Sequence, residues 1–356
     1  MLETLASAGI GEPVVMALVG LGGGLVLGLA ARLGRFCTLG AIEDLLYGGS
    51  DIRMRMWVLA VGVATAAVFA MAGAGWLDPG GSFYVAEGWN PLAHVAGGLL
   101  FGYGMALAGN CGYGALARLG GGDMRAFVIV LVMGVAAYAV LSGPFAALRV
   151  QLFPPDLLRG DMPASYAALA ERALGLPTHL AGVAAGLAIA GVALWPARMR
   201  AERGAIVWGA AVGLAVASGW AGTAWVAQTG FAGETMQSHT FARPLGDTLL
   251  WAMLASGIGL GFGIGSVLGV VAGAVAGSLI KGHFRWEACE DPRELRRQLA
   301  GAAAMGAGGA LAVGCSIGQG LTGFSVLAYG APLTVAAIWL GAWAGLRQLI
   351  HGFAPS

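Results

Sequence analysis

The sequence predicts an all-α polytopic membrane protein. About nine transmembrane helices, some broken into re-entrant half-helices, form two inverted repeats. Three observations lead there. First, 58% of the 356 residues are hydrophobic and only 10% are charged, whereas about a quarter of a soluble domain is charged. Second, the apolar residues fall into runs close to the roughly 20 that one helical crossing of a bilayer needs. Third, a short motif occurs twice. Ala108-Gly109-Asn110-Cys111-Gly112-Tyr113-Gly114 is answered by Ala312-Val313-Gly314-Cys315-Ser316-Ile317-Gly318. Identities continue backwards through Gly97/Gly301, Gly102/Gly306, Gly104/Gly308 and Leu107/Leu311. In so Gly- and Ala-rich a chain, about a tenth of positions would match by chance. The higher density marks an internal duplication that carries a pair of thiols.

Other composition cues agree. The 63 glycines would weaken soluble helices, each costing about 1 kcal/mol, but in membranes small residues let helix backbones approach closely. The net charge of +1 gives no reason to expect nucleic-acid binding. Four cysteines do not make a disulfide framework. Glu3 and Glu12, with no basic cluster, do not read as a secretory signal.

The expected spans, in order, are Val14 to Ala31, Met56 to Trp76, Leu92 to Ala117, Phe127 to Leu148 and Leu180 to Leu194. Ala205 to Ala227, Thr248 to Ile280, Leu299 to Leu321 and Leu333 to Ile350 follow. The seventh is too long for one straight crossing and is expected to break near Gly261-Phe262-Gly263. Trp57, Trp76, Trp89, Trp195, Trp208 and Trp251 fall at span ends and read as an aromatic belt.

Orientation follows the excess of basic residues on the cytoplasmic side. Arg53 and Arg55, Arg118 and Arg125, Arg198 to Arg203, and Lys281 to Arg297 all fall on one side if the N-terminus is periplasmic and the C-terminus cytoplasmic. The exception is Gln151 to Pro177, whose prolines and acids suggest an outer surface loop with short interfacial helices. In this topology the Cys111 and Cys315 spans run in opposite senses. Residues 1–150 and 200–350 then form inverted repeats around an outer insertion at 151–177, an arrangement found in transporters. The loop from Cys37 to Asp44 matches Thr240 to Asp247 in spacing. A rival match sets Gly34-Arg35-Phe36 on Gly282-His283-Phe284.

Cys111 and Cys315 are the first candidates for chemistry. Each follows a glycine-rich break, where the freed N–H groups of the next half-helix form an anion site. Soft sulfur beside such donors suits a small sulfur-containing anion. Gly112, Gly114 and Gly318 supply the open backbone. Asn110, Ser316 and Gln319 are polar residues inside spans, which default to a functional reading. Cys37 is a third station on the same path, while Cys289, set among carboxylates, reads as incidental. Arg118 and Arg125 read as positive-side anchors, and Glu43-Asp44 and Arg243-Pro244 as solvated faces, the alternative being that one of them attracts or repels anions at an entrance. No two cysteines have zinc-like spacing and the five histidines are scattered, so neither a metal nor another cofactor is expected. A nucleotide-binding loop and a serine–histidine arrangement are both absent from the sequence.

At Phe36-Cys37-Thr38-Leu39-Gly40-Ala41, Gly109-Asn110-Cys111-Gly112-Tyr113-Gly114 and Gly314-Cys315-Ser316-Ile317-Gly318-Gln319-Gly320, the chain resembles the YeeE/YedE family of bacterial sulfur-transport membrane proteins. The resemblance covers nearly the whole chain. It implies an hourglass-shaped, nine-span, inverted-repeat protein of the bacterial inner membrane. Helix tips would meet at its waist, and substrate would pass Cys111, Cys315 and Cys37 by transient thiol contacts. It further implies thiosulfate as the most fitting substrate and a small cytoplasmic TusA-like sulfur carrier as a separate partner, with lipid as the only other. The expected function is therefore a permease for a small inorganic sulfur anion, not an enzyme. Two rivals have distinct signatures. A membrane sulfurtransferase or thiol oxidoreductase would form a persulfide or disulfide on Cys111 or Cys315, and a copper(I) carrier would co-purify with metal.

Overall fold

The computed structural model describes residues 11–86, 88–154, 157–158, 163–231, 233–288 and 291–352. Its first half runs through α1 (Glu12–Leu33), α2 (Thr38–Leu46), α3 (Ile52–Gly73), α4 (Phe83–Ala86), α5 (Pro91–Ala108), α6 (Gly112–Leu119), α7 (Met124–Leu141) and α8 (Ala146–Leu152). Then come α9 (Tyr166–Leu174), α10 (Thr178–Leu194), α11 (Ala197–Ala201), α12 (Arg203–Thr229), α13 (Arg243–Leu254), α14 (Phe262–Ile280), α15 (Pro292–Leu311) and α16 (Gly330–His351). A wide-turned π-helical stretch, Gly318–Gly323, precedes α16. Helices dominate because backbone polar groups in a bilayer must be satisfied within the segment.

Local chemistry sets several helix starts. Asn90 caps α5, its side chain accepting from the Leu92 and Ala93 N–H groups, and Pro91 sits where no N–H is missed. Asp123 caps α7 by accepting from Arg125 N–H at 3.0 Å. Asp291 caps α15 by accepting from Arg293 N–H at 2.8 Å.

Among the described residues, seven helical stretches are long and apolar enough to cross a membrane. The count is eight if α9 and α10, bent by 117°, form one span. The chain is therefore a multi-pass membrane protein. The expected eighth span, Leu299 to Leu321, is divided between α15, which ends at Leu311, and the π-helical stretch, and α15 does not qualify because its first turns carry Arg293, Glu294, Arg296 and Arg297. That helix packs between α5 and α7, so helices rather than lipid face much of it. The long seventh run is interrupted at 255–261, between α13 and α14, and the third at 109–111, between α5 and α6. The stretches Arg35 to Asp44 and Ser238 to Asp247 are not loops throughout: each enters a helix, α2 or α13.

Glycine stripes set the closest helix approaches. Gly20, Gly24 and Gly28 on α1 face Gly269, Gly273 and their neighbours on α14. A methyl group on Gly24 would run into the Ser266 carbonyl, and one on Gly273 into the Leu25 carbonyl. The registers rise together, so α1 and α14 are parallel. By the same measure α12 and α3 are parallel, with Gly209 against Met56 and Gly213 against Ala60. In contrast, α1 and α12 are antiparallel, with Gly222 against Val19 and Gly34 against Trp208. The same holds for α5 and α15, with Gly97 against Ala312 and Gly104 against Gly301.

The basic connections gather at one end of the bundle. There Lys281 Nζ donates to the carbonyls of Arg32 (2.8 Å) and Leu33, Arg55 donates to Val192 O, and Arg125 pairs with Asp123 and Glu287. At the opposite end, part of the 151–177 segment clamps α4 and the turn between the π-helical stretch and α16. Tyr166 N–H donates to Leu327 O, Tyr329 N–H to Ala164 O, and Ala164 N–H to Val85 O. The tryptophan belt holds in part: Trp76 and Trp195 are exposed, but Trp57 is buried against the surface left bare by Gly320.

Candidate functional site

Three cysteines sit in one recurring backbone device. Two residues before each, the chain adopts the left-handed conformation: Arg35 (φ 56°) before Cys37, Gly109 (φ 74°) before Cys111, and Val313 (φ 56°) before Cys315. That residue ends the incoming helical segment, as left-handed caps commonly do. Two residues later the cysteine caps the next helix. Cys37 Sγ accepts from Gly40 N–H at 3.5 Å, Cys111 Sγ from Gly114 N–H at 3.4 Å, and Cys315 Sγ from Gly318 N–H at 3.3 Å. All three are free thiols; Cys111 and Cys315 are buried and Cys37 is partly open. The glycine three residues on brings its N–H to the sulfur with no side chain in the way.

These hinges meet. Cys37 and Cys315 lie within electrostatic range of the Cys111 thiol, and the Ser316 hydroxyl faces it. Tyr113, which follows Cys111 by two residues, donates from its hydroxyl to Leu27 O at 2.6 Å. Its ring packs on Phe36 and Phe241, with centroids 6.4 Å and 5.6 Å away. The fourth position is a hydroxyl: Thr240 Oγ1 lies 3.8 Å from Cys315 Sγ, and the Phe241 N–H also donates to that sulfur, at 3.3 Å. Thr322 Oγ1 donates to His239 O at 2.6 Å and ties this segment to the π-helical turn. Such π stretches frequently occur at functional sites.

Buried polar atoms without a partner crowd the same region. Asn110 is 2% exposed, yet neither its Nδ2 nor its Oδ1 has a hydrogen-bond partner in the protein. Gln319 Nε2 donates to the Ala312 and Val313 carbonyls, while its Oε1 is unpartnered. Among the described residues, Ser316 Oγ, Thr38 Oγ1 and Tyr84 Oη are also buried with no partner in full hydrogen-bond geometry, Ser316 facing Cys111 and Tyr84 facing Thr240. Native proteins leave few such groups unless a ligand or special role calls for them. Tyr84, Thr38 and Thr240 escape the sequence reading. The only signal for Thr240 is its spacing match to Cys37, and α4, which carries Tyr84, is too short to register as a pattern.

Residues 33–344 match the sulphur transport family. The chain belongs to that family. Among curated members, it is 33% identical over 132 residues to the thiosulfate transporter TsuA of Escherichia coli (strain K12), a stretch covering 37% of this chain and 36% of that protein. It is 29% identical over 133 residues to the thiosulfate transporter TsuA of Spirochaeta thermophila, covering 37% and 38%. The aligned stretch thus spans little more than a third of each relative.

Placed in this family member, the residues singled out in the sequence divide by role. Cys37, Asn110 and Gly114 line one cavity of about 520 Å³. Cys315, Gly318 and Gln319 cluster with Thr240 and Tyr84 on the far side of Cys111. Gly112 packs against Met133 and Leu245. Arg118 does more than anchor: it lines the cavity and donates to Gly109 O at 3.2 Å, holding the Cys111 hinge. Arg125 remains at the periphery, within an acidic network. Asp44 pairs with Arg53 and Asp247 with Arg243, and Tyr138 also bonds to Asp247. Cys289 lies outside the described residues. Among the described residues, no group of three or more His, Cys, Asp or Glu side chains is placed to hold a metal ion.

Proposed function

We propose that this chain is a permease of the bacterial inner membrane that carries thiosulfate inward along a path lined by Cys315, Cys111 and Cys37. The observation that carries the reading is the thrice-repeated hinge, which sets three free thiols at broken helix ends beside unpartnered polar atoms. The name shared by the two relatives supplies the substrate.

The physics is an exchange of hydration for weak contacts. An anion leaving water needs donors in return, and Asn110, Ser316, Tyr84 and Thr240 offer amide and hydroxyl groups with capacity to spare. Each thiol sulfur already accepts from backbone N–H groups, so its S–H is the part left to donate to the substrate. A thiol is a weak donor, and conduction requires sites that bind and then let go. Thiosulfate differs from sulfate by its terminal sulfur, which soft thiols favour over oxygen. Residues 1–150 and 200–350 act as inverted repeats, with 151–177 as an insertion on the outer face. The antiparallel packing of α1 on α12 and of α5 on α15 supports this division. The basic end of the bundle is then cytoplasmic and the N-terminus periplasmic, and a separate TusA-like carrier receives the substrate at the basic end.

Uptake of radiolabelled thiosulfate by a transport-deficient bacterium tests the assignment. Cells expressing the full chain are expected to accumulate label well above empty-vector cells, and a Cys289→Ala variant to match the parent. Accumulation no better than the empty vector overturns it.

A further inference from the structure

The cavity of about 520 Å³ below Asn110 is lined by Arg32, Arg35, Arg53, Arg118 and Lys281, and among the described residues no carboxylate lines it. Most of these cations meet neutral partners. Arg32 Nε donates to Ser278 Oγ at 2.7 Å, Arg118 to the Gly109 carbonyl, and Lys281 to two carbonyls. Of these cations, Arg53 alone is in ion-pair contact with a carboxylate among the described residues, Asp44 at 3.1 Å; Glu43 lies within electrostatic range of Arg118 and Arg53, and Glu287 of Arg32. Asp123 and Glu287 line a smaller adjoining cavity, where Arg125 engages both. Five cations thus line the larger cavity, and the carboxylates Asp44, Glu43 and Glu287 offset them only from outside its wall. Two features separate it from a row of membrane anchors. Arg35 holds a left-handed backbone, φ 56°, a strained setting for a residue with a side chain and one that clusters at functional sites. At the cavity wall, Asn110 is buried with both amide atoms unpartnered.

We propose that this cavity is a second anion site, separate from the thiol pair Cys111 and Cys315, that takes divalent oxyanions of the sulfate class by charge rather than by sulfur. Its donors are guanidinium, ammonium and amide groups, which favour hard oxygen atoms. Its volume exceeds what one small oxyanion fills, so it holds the ion with water and cannot select by shape. The thiol waist and this vestibule thus divide the work: the first recognises sulfur, the second gathers doubly charged anions. Sulfate on the basic side would occupy the vestibule and slow onward release of substrate. That consequence rests on the permease reading, whereas sulfate binding does not.

Cys37 lines the same cavity and is partly open, so it reports occupancy. The experiment measures the rate of Cys37 alkylation by N-ethylmaleimide in the purified full chain, read by peptide mass spectrometry. Sodium sulfate is titrated against sodium chloride at matched ionic strength. Sulfate is expected to slow alkylation saturably, while chloride does not. Arg35→Gln, an exposed position where folding is least at risk, should raise the half-protecting sulfate concentration about tenfold, the scale of one lost charge-assisted hydrogen bond. Arg35→Lys should recover most of the loss. No saturable protection in the parent chain, or protection unchanged by Arg35→Gln, overturns the proposal. Protection with no thiosulfate uptake would remove the permease reading and leave this site standing; uptake without protection would do the reverse.

Discussion

Replacing Gly109 by alanine isolates the backbone strain in one thiol hinge. Gly109 has φ 74°, and a β-carbon there would meet no atom within 4 Å. The substitution therefore adds no clash; it only forces an L side chain into the left-handed region. That costs about 1–2 kcal/mol, offset by about 0.5–1 kcal/mol because alanine is less free than glycine in the unfolded chain. Val313, at the equivalent place before Cys315, already bears this strain at φ 56°, and its side chain is 45% exposed, so little packing is lost on trimming it. Val313→Gly should relieve about 1–2 kcal/mol, offset by about 0.5–1 kcal/mol for the greater freedom of glycine in the unfolded chain. The two variants should thus differ in sign: Gly109→Ala less stable than the parent, Val313→Gly equal or more stable. Thermal unfolding of the purified chain in one detergent measures both. Gly109→Ala as stable as the parent, or Val313→Gly losing as much as Gly109→Ala, would refute the shared-hinge reasoning.

Other expectations follow from the same geometry. Gly24→Ala would press a methyl group into the Ser266 carbonyl and should cost about 1–3 kcal/mol as overpacking, whereas Gly22→Ala, with open space around it, should be neutral or slightly stabilising; thermal unfolding separates them. Asn110→Ala removes two unpartnered polar atoms, so the protein should be as stable as the parent while thiosulfate uptake falls severalfold, and a loss of stability with unchanged uptake would count against the path. Tyr84→Phe deletes a buried hydroxyl whose polar neighbour among the described residues is Thr240; it should change unfolding little and raise the thiosulfate concentration for half-maximal uptake.

Much of the fold is legible because bilayer physics is severe. Apolar runs place the crossings, and basic connections collect at one end as their charge requires. The paired motif around Cys111 and Cys315 points to the centre of the bundle before any helix is seen. What escapes is mostly local and three-dimensional. The eighth expected crossing is obscured because Arg293 to Arg297 open α15, a helix whose neighbours shield it from lipid. Trp57 reads as a belt residue by position, yet the gap over Gly320 receives its ring. Arg35 and Val313 carry side chains where the sequence would lead one to expect glycine, so the common left-handed turn before all three thiols is invisible in the letters. Tyr84 comes within electrostatic range of Cys315 from a four-residue helix tied to the 163–166 strap, a placement with no periodic signature. Arg118, legible as an anchor, turns inward to a carbonyl of the Cys111 hinge.

The central claim is that sulfur, and not merely a small polar group, lines the path at Cys111 and Cys315. Serine keeps a capping acceptor at a helix start but removes the soft atom. The most direct measurement is initial thiosulfate uptake into proteoliposomes by Cys315→Ser and Cys111→Ser beside the parent, with thermal unfolding of each. The account predicts parent-like stability and uptake lowered about tenfold or more, the scale of one lost hydrogen bond to a charged ligand. Serine variants that carry thiosulfate at the parent rate would contradict it.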